Sequence, residues 1–417
     1  MNIRVKKKLN GFSIFSLRQI HLKTFAVFHR MTFTYHIDLS TIDTSLVTAH
    51  TSMCGGRPYT VYKYNKEKMN DDLVSTIGLF RSLVVDQHGR AVAFAPPKSV
   101  PCDAFLRTHP ICANVFAEEF VEGTMVNAFF DKDIEQWEIA TRTTVGACST
   151  FYQLPDDHTK TFREMFNEAA RQCRLNLNDL NRDYCYSFVL RHPDNRIVVP
   201  VLAPTLCLTN VYQITQHGSQ VVIEARNERL TPLVKTPDMY DFENYGELVD
   251  RFGSMNTPYT LMGVVLYDPA TGERAKIRNP NYELVRELRG NQPKLQFQYL
   301  VLRKEGKVSE HLEYFPEHKR HFSKFRDQVH LFTDQLFANY VDCYIKKKQP
   351  LADYPAQYRT HMYTIHRHYL DKLVEEKGSI TRAYVREYVN TLPTALLMHC
   401  LNYDANKSEN NVTESHP

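Results

Sequence analysis

The residue types that could bind a metal or act as a nucleophile occur in spacings that exclude several kinds of site. His361, His366 and His368 lie five and two positions apart, so one helix face would not present them together as zinc ligands. The nine cysteines include no C-x-x-C pair, which leaves a zinc ribbon or a thioredoxin-like site without support. The chain also lacks the Gly-x-Ser-x-Gly, G-x-G-x-x-G and P-loop sequences, so hydrolase, Rossmann and Walker-type sites are not indicated either.

Five other segments combine strand-forming residues with charged side chains. In chain order they read FRSLVV (80–85), FAPPK (94–98), FVEGTM (120–125), HPDNRIV (192–198), and MGVV (262–265) followed by KIR (276–278). This ordered series resembles the motifs of covalent nucleotidyltransferases, and most closely those of phage-type (RnlA-like) RNA ligases. The resemblance covers residues 75–290, and a further likeness, which includes the C-terminal part, is to proteins of large DNA viruses.

The resemblance implies a fold, an activity and ligands. The implied fold is α+β, a nucleotidyltransferase (ATP-grasp-like ligase) core of antiparallel sheets flanked by helices. The implied reaction uses ATP and Mg²⁺: a neutral lysine amine attacks the α-phosphorus, forms lysyl-AMP and releases pyrophosphate. AMP then passes to an RNA 5′-phosphate, and a 3′-hydroxyl displaces it. The implied partner is therefore RNA, such as tRNA or nicked RNA.

At three positions the chain departs from that pattern. Phe120 stands where the family has its nucleophilic lysine, and a phenyl ring cannot attack phosphorus. Val189 and Met262 stand where the family has carboxylates. We therefore predict no catalytic residue at the family position and no metal ligand.

The binding half of the family's site is retained. Each retained residue could instead be an ordinary solvated or ion-paired strand residue, and the glycine permits a close backbone approach. The resemblance assigns nucleotide or phosphate binding to Arg81, Lys98, Glu122, Gly123, Arg142, Lys276 and Arg278.

Two hypotheses follow from this mixture of retained and replaced residues. The first, which we favour, is a catalytically degenerate ligase-fold protein that binds RNA or nucleotide, or serves as an interaction scaffold. The second is an active ATP-dependent RNA ligase whose nucleophile is a lysine outside the aligned motif. The candidates for that lysine are Lys98, Lys63, Lys66 and Lys68.

Hydrophobic periodicity predicts the elements that must position these side chains. From about residue 58 to 300 the chain shows strand-like runs, with hairpins at 84–94 and 125–141. After about 305 the apolar residues recur every three or four positions, which predicts an all-α C-terminal domain. We expect a basic extension over residues 1–30, the ligase-like domain over 31–300, the helical domain over 305–405 and a tail over 406–417.

Charge is distributed unevenly along the 417 residues. The chain has a net charge of +4, but residues 1–30 contain seven Lys or Arg and no acid, so the remainder carries −3. Nucleic-acid binding by the body must therefore come from local patches. The extension itself is open to three interpretations: a dispensable segment, a targeting presequence or a nucleic-acid-binding arm.

Hydropathy and cysteine usage indicate the compartment. The mean hydropathy is −0.42, and no apolar run approaches the ~20 residues of a membrane span, so we expect no integral membrane protein. Scattered cysteines in odd number are typical of a reducing compartment. We therefore predict an intracellular, cytoplasmic protein, in the host cell if it is viral. The oligomeric state is not indicated.

Overall fold

The computed structural model describes residues 33–110, 115–152, 159–228, 230, 232–405 and 407. These residues divide into two compact units: the first extends to Arg286, and the second contains Tyr152 and the residues from Glu287 onward. The expected basic extension over residues 1–30 lies outside the described residues. So does the expected tail over 406–417, apart from Lys407.

The first unit contains fourteen described strands in three antiparallel sheets. Sheet I has the order β1-β11-β10-β9-β7-β8, sheet II the order β12-β6-β13-β14 and sheet III the order β2-β3-β4-β5. The bounds are β1 Thr34–Asp38, β2 Val47–Cys54, β3 Arg57–Tyr64, β4 Leu83–Val85, β5 Ala91–Phe94, β6 Phe116–Glu119, β7 Thr124–Asp131, β8 Gln136–Ala140, β9 Tyr184–Arg191, β10 Thr205–His217, β11 Gln220–Arg226, β12 Met239–Tyr240, β13 Gly263–Tyr267 and β14 Arg274–Arg278.

Helices cover the sheets of this unit. They are α1 Cys102–Thr108, α2 Phe162–Gln172, α3 Tyr245–Phe252 and α4 Pro280–Arg289, and the boundary between the units lies within α4. One face of sheet II packs against α1 and α3, where Phe105, Leu248 and Phe252 are almost fully buried with Ala275 and Ile277 of β14. Because successive strand residues point to opposite faces, the polar residues of β14 are left on the other face.

The second unit is helical. Its helices are α5 Leu295–Glu305, α6 Val308–Tyr314, α7 Lys319–Tyr340, α8 Ala356–His368, α9 Arg382–Thr391 and α10 Thr394–Leu401. The predicted apolar stripe of α7 forms the centre of its core, with Val329, Phe332 and Leu336 packed against residues of α8 and α9. None of the helices in the described part of the chain is both long enough and apolar enough to span a membrane.

The predicted fold class is confirmed. The first unit is α+β with antiparallel sheets, and the C-terminal region is helical, as the change from a period of 2 to a period of 3.6 indicated. The two predicted hairpins correspond to β4–β5 and β7–β8. The last strand ends at Arg278, and the run of consecutive helices that follows begins at Pro280, ahead of the change of period at about residue 305.

Candidate functional site

A cavity of about 290 Å³ lies in the first unit, where sheet I and sheet II face each other. Sheet II lines it with residues of β6, β13 and β14, sheet I with residues of β7, β9 and β10, and α4 with Tyr282 and Arg286. A cavity of this size can hold part or all of a small ligand.

The register of sheet II brings basic side chains to the cavity. Val265 on β13 pairs with Glu118 on β6 and with Lys276 on β14, so these three side chains form one row across the sheet. Arg274 and Arg278 are two residues before and after Lys276, and they therefore project from the same face. Three cations on one short strand thus line the cavity.

The aromatic ring of Phe120 supports two of these cations. Lys276 Nζ lies 4.4 Å from the ring centroid, and Arg278 Cζ lies 5.3 Å from it. A cation at this distance from an aromatic ring is attracted by the negative face of the ring. Phe120 therefore helps to position the side chains of Lys276 and Arg278.

Lys276 has an unusual environment for an amine. Burial lowers the pKa of Lys276 well below its ordinary value, and the charges of Arg274, Arg81, Arg278 and Lys98 lower it further. Within the described residues its amine has no ion-pair partner. Lys276 is therefore disposed to lose its proton, and a neutral amine can accept a proton from a ligand or act as a nucleophile.

Two arginines are anchored by proline carbonyls beside the same cavity. The buried Arg274 donates from Nε to the carbonyl of Pro97 (3.1 Å) and from Nη2 to that of Pro96 (3.1 Å). Arg81 Nη1 donates to the Pro96 carbonyl at 3.5 Å, and burial lowers the pKa of Arg81 to about 10. The carbonyl groups orient the guanidinium groups without neutralising their charge.

The carboxylates of the cavity are poorly suited to a divalent cation. Burial raises the pKa of Glu118 to about 8, so this side chain is protonated at neutral pH. Burial, followed by the charge of Asp238, raises the pKa of Glu119. Both oxygens of Glu122 accept hydrogen bonds from the backbone amides of Val198 and Val199 at 3.1 Å. Glu118 and Glu122 are therefore not ionised, uncommitted ligands, and burial disfavours the ionised form of Glu119.

The Mg²⁺ that the family resemblance implies does not fit this set of donors. Hard divalent cations require several ionised or carbonyl oxygens around one point. The described residues contain no group of three His, Cys, Asp or Glu side chains that could hold a metal ion. An anion matches the lining of the cavity better than a cation does.

The three replaced positions lie in this cavity. Phe120, Val189 and Met262 all line it, although they are separated by up to 142 positions in the chain. Val189 on β9 pairs with Met125 on β7, which adds another apolar side chain to the wall of sheet I. The cavity therefore combines an apolar wall with a basic one.

Gly123 is required by close packing of the chain. It has φ of +153°, and a Cβ atom here would lie 2.5 Å from the carbonyl oxygen of Leu190 and 2.6 Å from Cγ1 of Val189. The absent side chain lets β9 approach the turn between β6 and β7. This packing accounts for the glycine without a ligand.

Glu122 joins three segments of the first unit. Its carboxylate accepts the amides of Val198 and Val199 and a hydrogen bond from the side chain of Tyr282. Glu122→Ala should lower the free energy of unfolding by about 2–4 kcal/mol, because it leaves two backbone N–H groups without an acceptor. Urea unfolding would measure this. Glu122→Gln, which keeps one acceptor oxygen, should cost less, and equal stability of all three proteins would contradict the assignment.

Two of the seven residues predicted from the sequence do not line the cavity. The backbone N–H of Lys98 donates to the carbonyl of Gly78. The side chain of Lys98 affects the cavity only through its charge, which lowers the pKa of Lys276. Arg142 Cζ lies 5.2 Å from the ring centroid of Tyr64. Both belong to the surroundings of the site, because β5 and β8 end outside its wall. Arg81, Glu122, Gly123, Lys276 and Arg278 do line it.

The alternative lysines also lie elsewhere. Lys63, Lys66 and Lys68 are absent from the described lining of the cavity, and Lys68 Nζ donates to the carbonyl of Ser45 at 3.0 Å. The charge of Arg142 is the main cause that lowers the pKa of Lys66. The lysine that does line the cavity is Lys276.

Arg274, Glu118 and Arg286 line the cavity although the sequence motifs did not indicate them. The alternation in RAKIR (274–278) was a signal for Arg274, because residues 274, 276 and 278 of a strand share one face. Glu118 and Arg286 had no such signal, since their positions depend on how β6 and α4 pack.

Comparisons with known proteins find RNA ligases that are similar to parts of this chain. No protein-family model matches it. The RNA ligase of Rhodothermus phage RM378 is 33% identical over 101 residues, which are 23% of this chain and 22% of the relative. The match thus spans about a fifth of the length of that relative.

Solved structures that resemble the chain carry the same kind of name. An archaeal ATP-dependent RNA ligase (form 2) has a TM-score of 0.38 and 14% identity, over 66% of this chain and 71% of the other. A Naegleria gruberi RNA ligase mutant with ATP and Mn has a TM-score of 0.29 and 12% identity, over 56% of this chain and 75% of the other.

Proposed function

We propose that this chain is an RNA ligase-like protein of the nucleotidyltransferase fold that binds nucleotide, namely ATP, and RNA, and that it lacks the family's catalysis at the motif position. One observation carries the proposal. The same cavity contains the basic residues Arg81, Lys276 and Arg278 and the apolar residue Phe120 at the family's nucleophile position.

Binding and catalysis make different demands on such a cavity. Guanidinium groups recognise phosphate oxygens through planar pairs of donors, which Arg81 and Arg278 can supply, and the buried Arg274 adds its charge. The apolar wall that contains Val189 and Met262 suits a base or ribose face. Transfer of AMP would also need an amine and ionised carboxylates, but apolar residues occupy the positions where the family has these groups.

The proposal extends to the domains, the RNA partner and the cellular location. We assign residues 31–300 to the ligase-like domain and 305–405 to a helical domain, and we infer that the chain is related to phage-type RNA ligases. An RNA 5′-phosphate presents the same chemistry as a nucleotide phosphate, so RNA fits the same basic wall. The described cysteines are free thiols, which agrees with an intracellular, cytoplasmic location.

Incubation with α-labelled ATP tests the proposal. We expect bound ATP in a filter or calorimetric assay in EDTA, and no labelled protein after denaturing electrophoresis of samples that contain Mg²⁺ or Mn²⁺. Arg278→Gln should weaken ATP binding roughly 10–100-fold, because a charge-assisted hydrogen bond is worth about 1.5–3 kcal/mol. Lys132→Gln, an exposed lysine outside the cavity, is the matched control. Absence of ATP binding would refute the proposal.

A second candidate function is adenylation through a lysine outside the motif. The amine of Lys276, with its lowered pKa, favours it, since Lys276 lines the cavity and the other candidate lysines do not. The same assay decides: an acid-labile AMP adduct that maps to Lys276, and that disappears in Lys276→Arg, would establish an enzyme.

A further inference from the structure

We propose that the cavity binds the phosphates of its ligand in the metal-free form, with fixed basic side chains in place of a divalent cation. The inference rests on the proposed function, since it concerns the same cavity. It specifies the ligand as a free nucleotide polyphosphate and not as its magnesium complex.

The lining of the cavity is rich in basic side chains. Among the described residues, five basic side chains line the cavity: Arg81, Arg274, Lys276, Arg278 and Arg286. A nucleoside triphosphate carries a comparable negative charge when no metal is bound to it. Like charges packed this closely repel each other, so an anion among them relieves an existing strain.

These cations are already held in place. Proline carbonyls orient Arg274 and Arg81, and the Phe120 ring supports Lys276 and Arg278. Fixed donors lose little conformational freedom when a ligand arrives, and this favours affinity.

Part of this charge is compensated at the mouth of the cavity. Glu283 Oε1 lies 3.0 Å from Arg278 Nη1, and Glu283 Oε2 lies 2.5 Å from Arg286 Nη1. This compensation concerns the exposed end only. Arg81, Arg274 and Lys276 have no carboxylate partner among the described residues, so the inner end stays positive.

The acids beside these basic side chains are poorly available to a metal ion. Glu122 is committed to backbone amides, and Glu118 lies buried in the row that ends at Lys276. The positions where the family has carboxylates hold Val189 and Met262. A divalent cation would enter between cations and apolar groups, so the magnesium complex should be the poorer ligand.

Calorimetric titration of the full chain tests the inference with two probes, ATP and inorganic tripolyphosphate. Each is titrated in EDTA and again in Mg²⁺ at a concentration that leaves less than a tenth of the probe metal-free. We expect binding in EDTA and a loss of at least about tenfold in apparent affinity with Mg²⁺, since only the metal-free fraction competes for the site. Equal or stronger binding with Mg²⁺, or loss of binding in EDTA, overturns the inference.

The two probes separate this inference from the proposed function. Binding of tripolyphosphate in EDTA without binding of ATP would refute nucleotide binding and leave the metal-free phosphate site standing. Failure of both probes in EDTA refutes both.

A matched pair of double variants adds a second measurement. Val189→Glu with Met262→Glu restores acids beside the cations, and Val189→Gln with Met262→Gln restores only polarity. If both fold by circular dichroism, we expect Mg²⁺ to strengthen ATP binding at least about tenfold in the acidic variant relative to the amide variant. A folded acidic variant with the Mg²⁺ response of the wild type contradicts the inference. If the acidic variant does not fold, the wild-type titrations decide.

Discussion

A lysine introduced by Phe120→Lys alone should not make this protein transfer AMP to itself. Val189 and Met262 would still leave the reaction without the carboxylates that hold a metal ion on the leaving pyrophosphate. One such electrostatic contact is worth about 3–4 kcal/mol, or two to three orders of magnitude in rate. The fixed arginines do not replace it, because side chains that hold substrate and transition state equally leave the barrier unchanged.

The substitution should also destabilise the first unit. The ring of Phe120 now attracts Lys276 and Arg278 at 4.4 and 5.3 Å, and a third cation would repel both. Phe120→Met, which removes the ring without adding a charge, separates the two effects. We expect a lower melting temperature for Phe120→Lys than for Phe120→Met. In a unit of this size, a loss of about 1 kcal/mol in the free energy of unfolding lowers the melting temperature by 2–4 °C.

Labelled AMP transfer by the single and triple variants is the measurement. Phe120→Lys together with Val189→Glu and Met262→Glu should label detectably with Mg²⁺, and the single variant should not. Robust labelling of the single variant would mean that carboxylates outside the aligned positions serve the metal. Labelling of the unmutated chain would establish the second candidate function.

Lys276→Met should stabilise the fold and weaken the binding of phosphate ligands. The pKa of Lys276 in the folded protein lies well below the ordinary lysine value of 10.5. Between the two pKa values the unfolded chain holds a proton that the folded chain does not, so stability falls as the pH falls through that window. Burial is the main cause of the lowered pKa, and the charges of Arg274, Arg81, Arg278 and Lys98 add to it. A methionine removes the penalty, so the gain should be largest at the acidic end and vanish above about pH 10.5.

Lys276→Met should also cause a large loss of ATP binding. An incoming phosphate raises the pKa of Lys276, so the amine takes up a proton and becomes a charged donor. Removing such a donor should cost roughly 10–100-fold in ATP affinity. Urea unfolding from pH 6 to 10 and calorimetric titration measure the two effects. Lys98→Met is the comparison, with a smaller change in both, because Lys98 does not line the cavity. A less stable Lys276→Met would contradict the assigned environment of the amine.

Local patterns in the sequence were enough to determine the fold class. A period of 2 between about residues 58 and 300 and a period of 3.6 after about 305 are properties of neighbouring residues, and they predicted antiparallel strands and a helical C-terminal region. The chemical types at the motif positions were equally visible, so the prediction that Phe120 stands at the nucleophile position of the ligase motifs, and Val189 and Met262 at acid positions, needed no coordinates.

Only the tertiary structure decided which of these residues meet. Arg81 and Arg278 are almost 200 positions apart, and they share a cavity because sheets I and II face each other. The same packing leaves Lys98 and Arg142 outside, commits Glu122 to backbone amides and brings in Arg274 and Glu118. The lowered pKa of Lys276 follows from burial beside four cations that lie on distant segments or on alternate positions of one strand. Burial and electrostatic fields depend on distances through space, and no spacing along the chain encodes them.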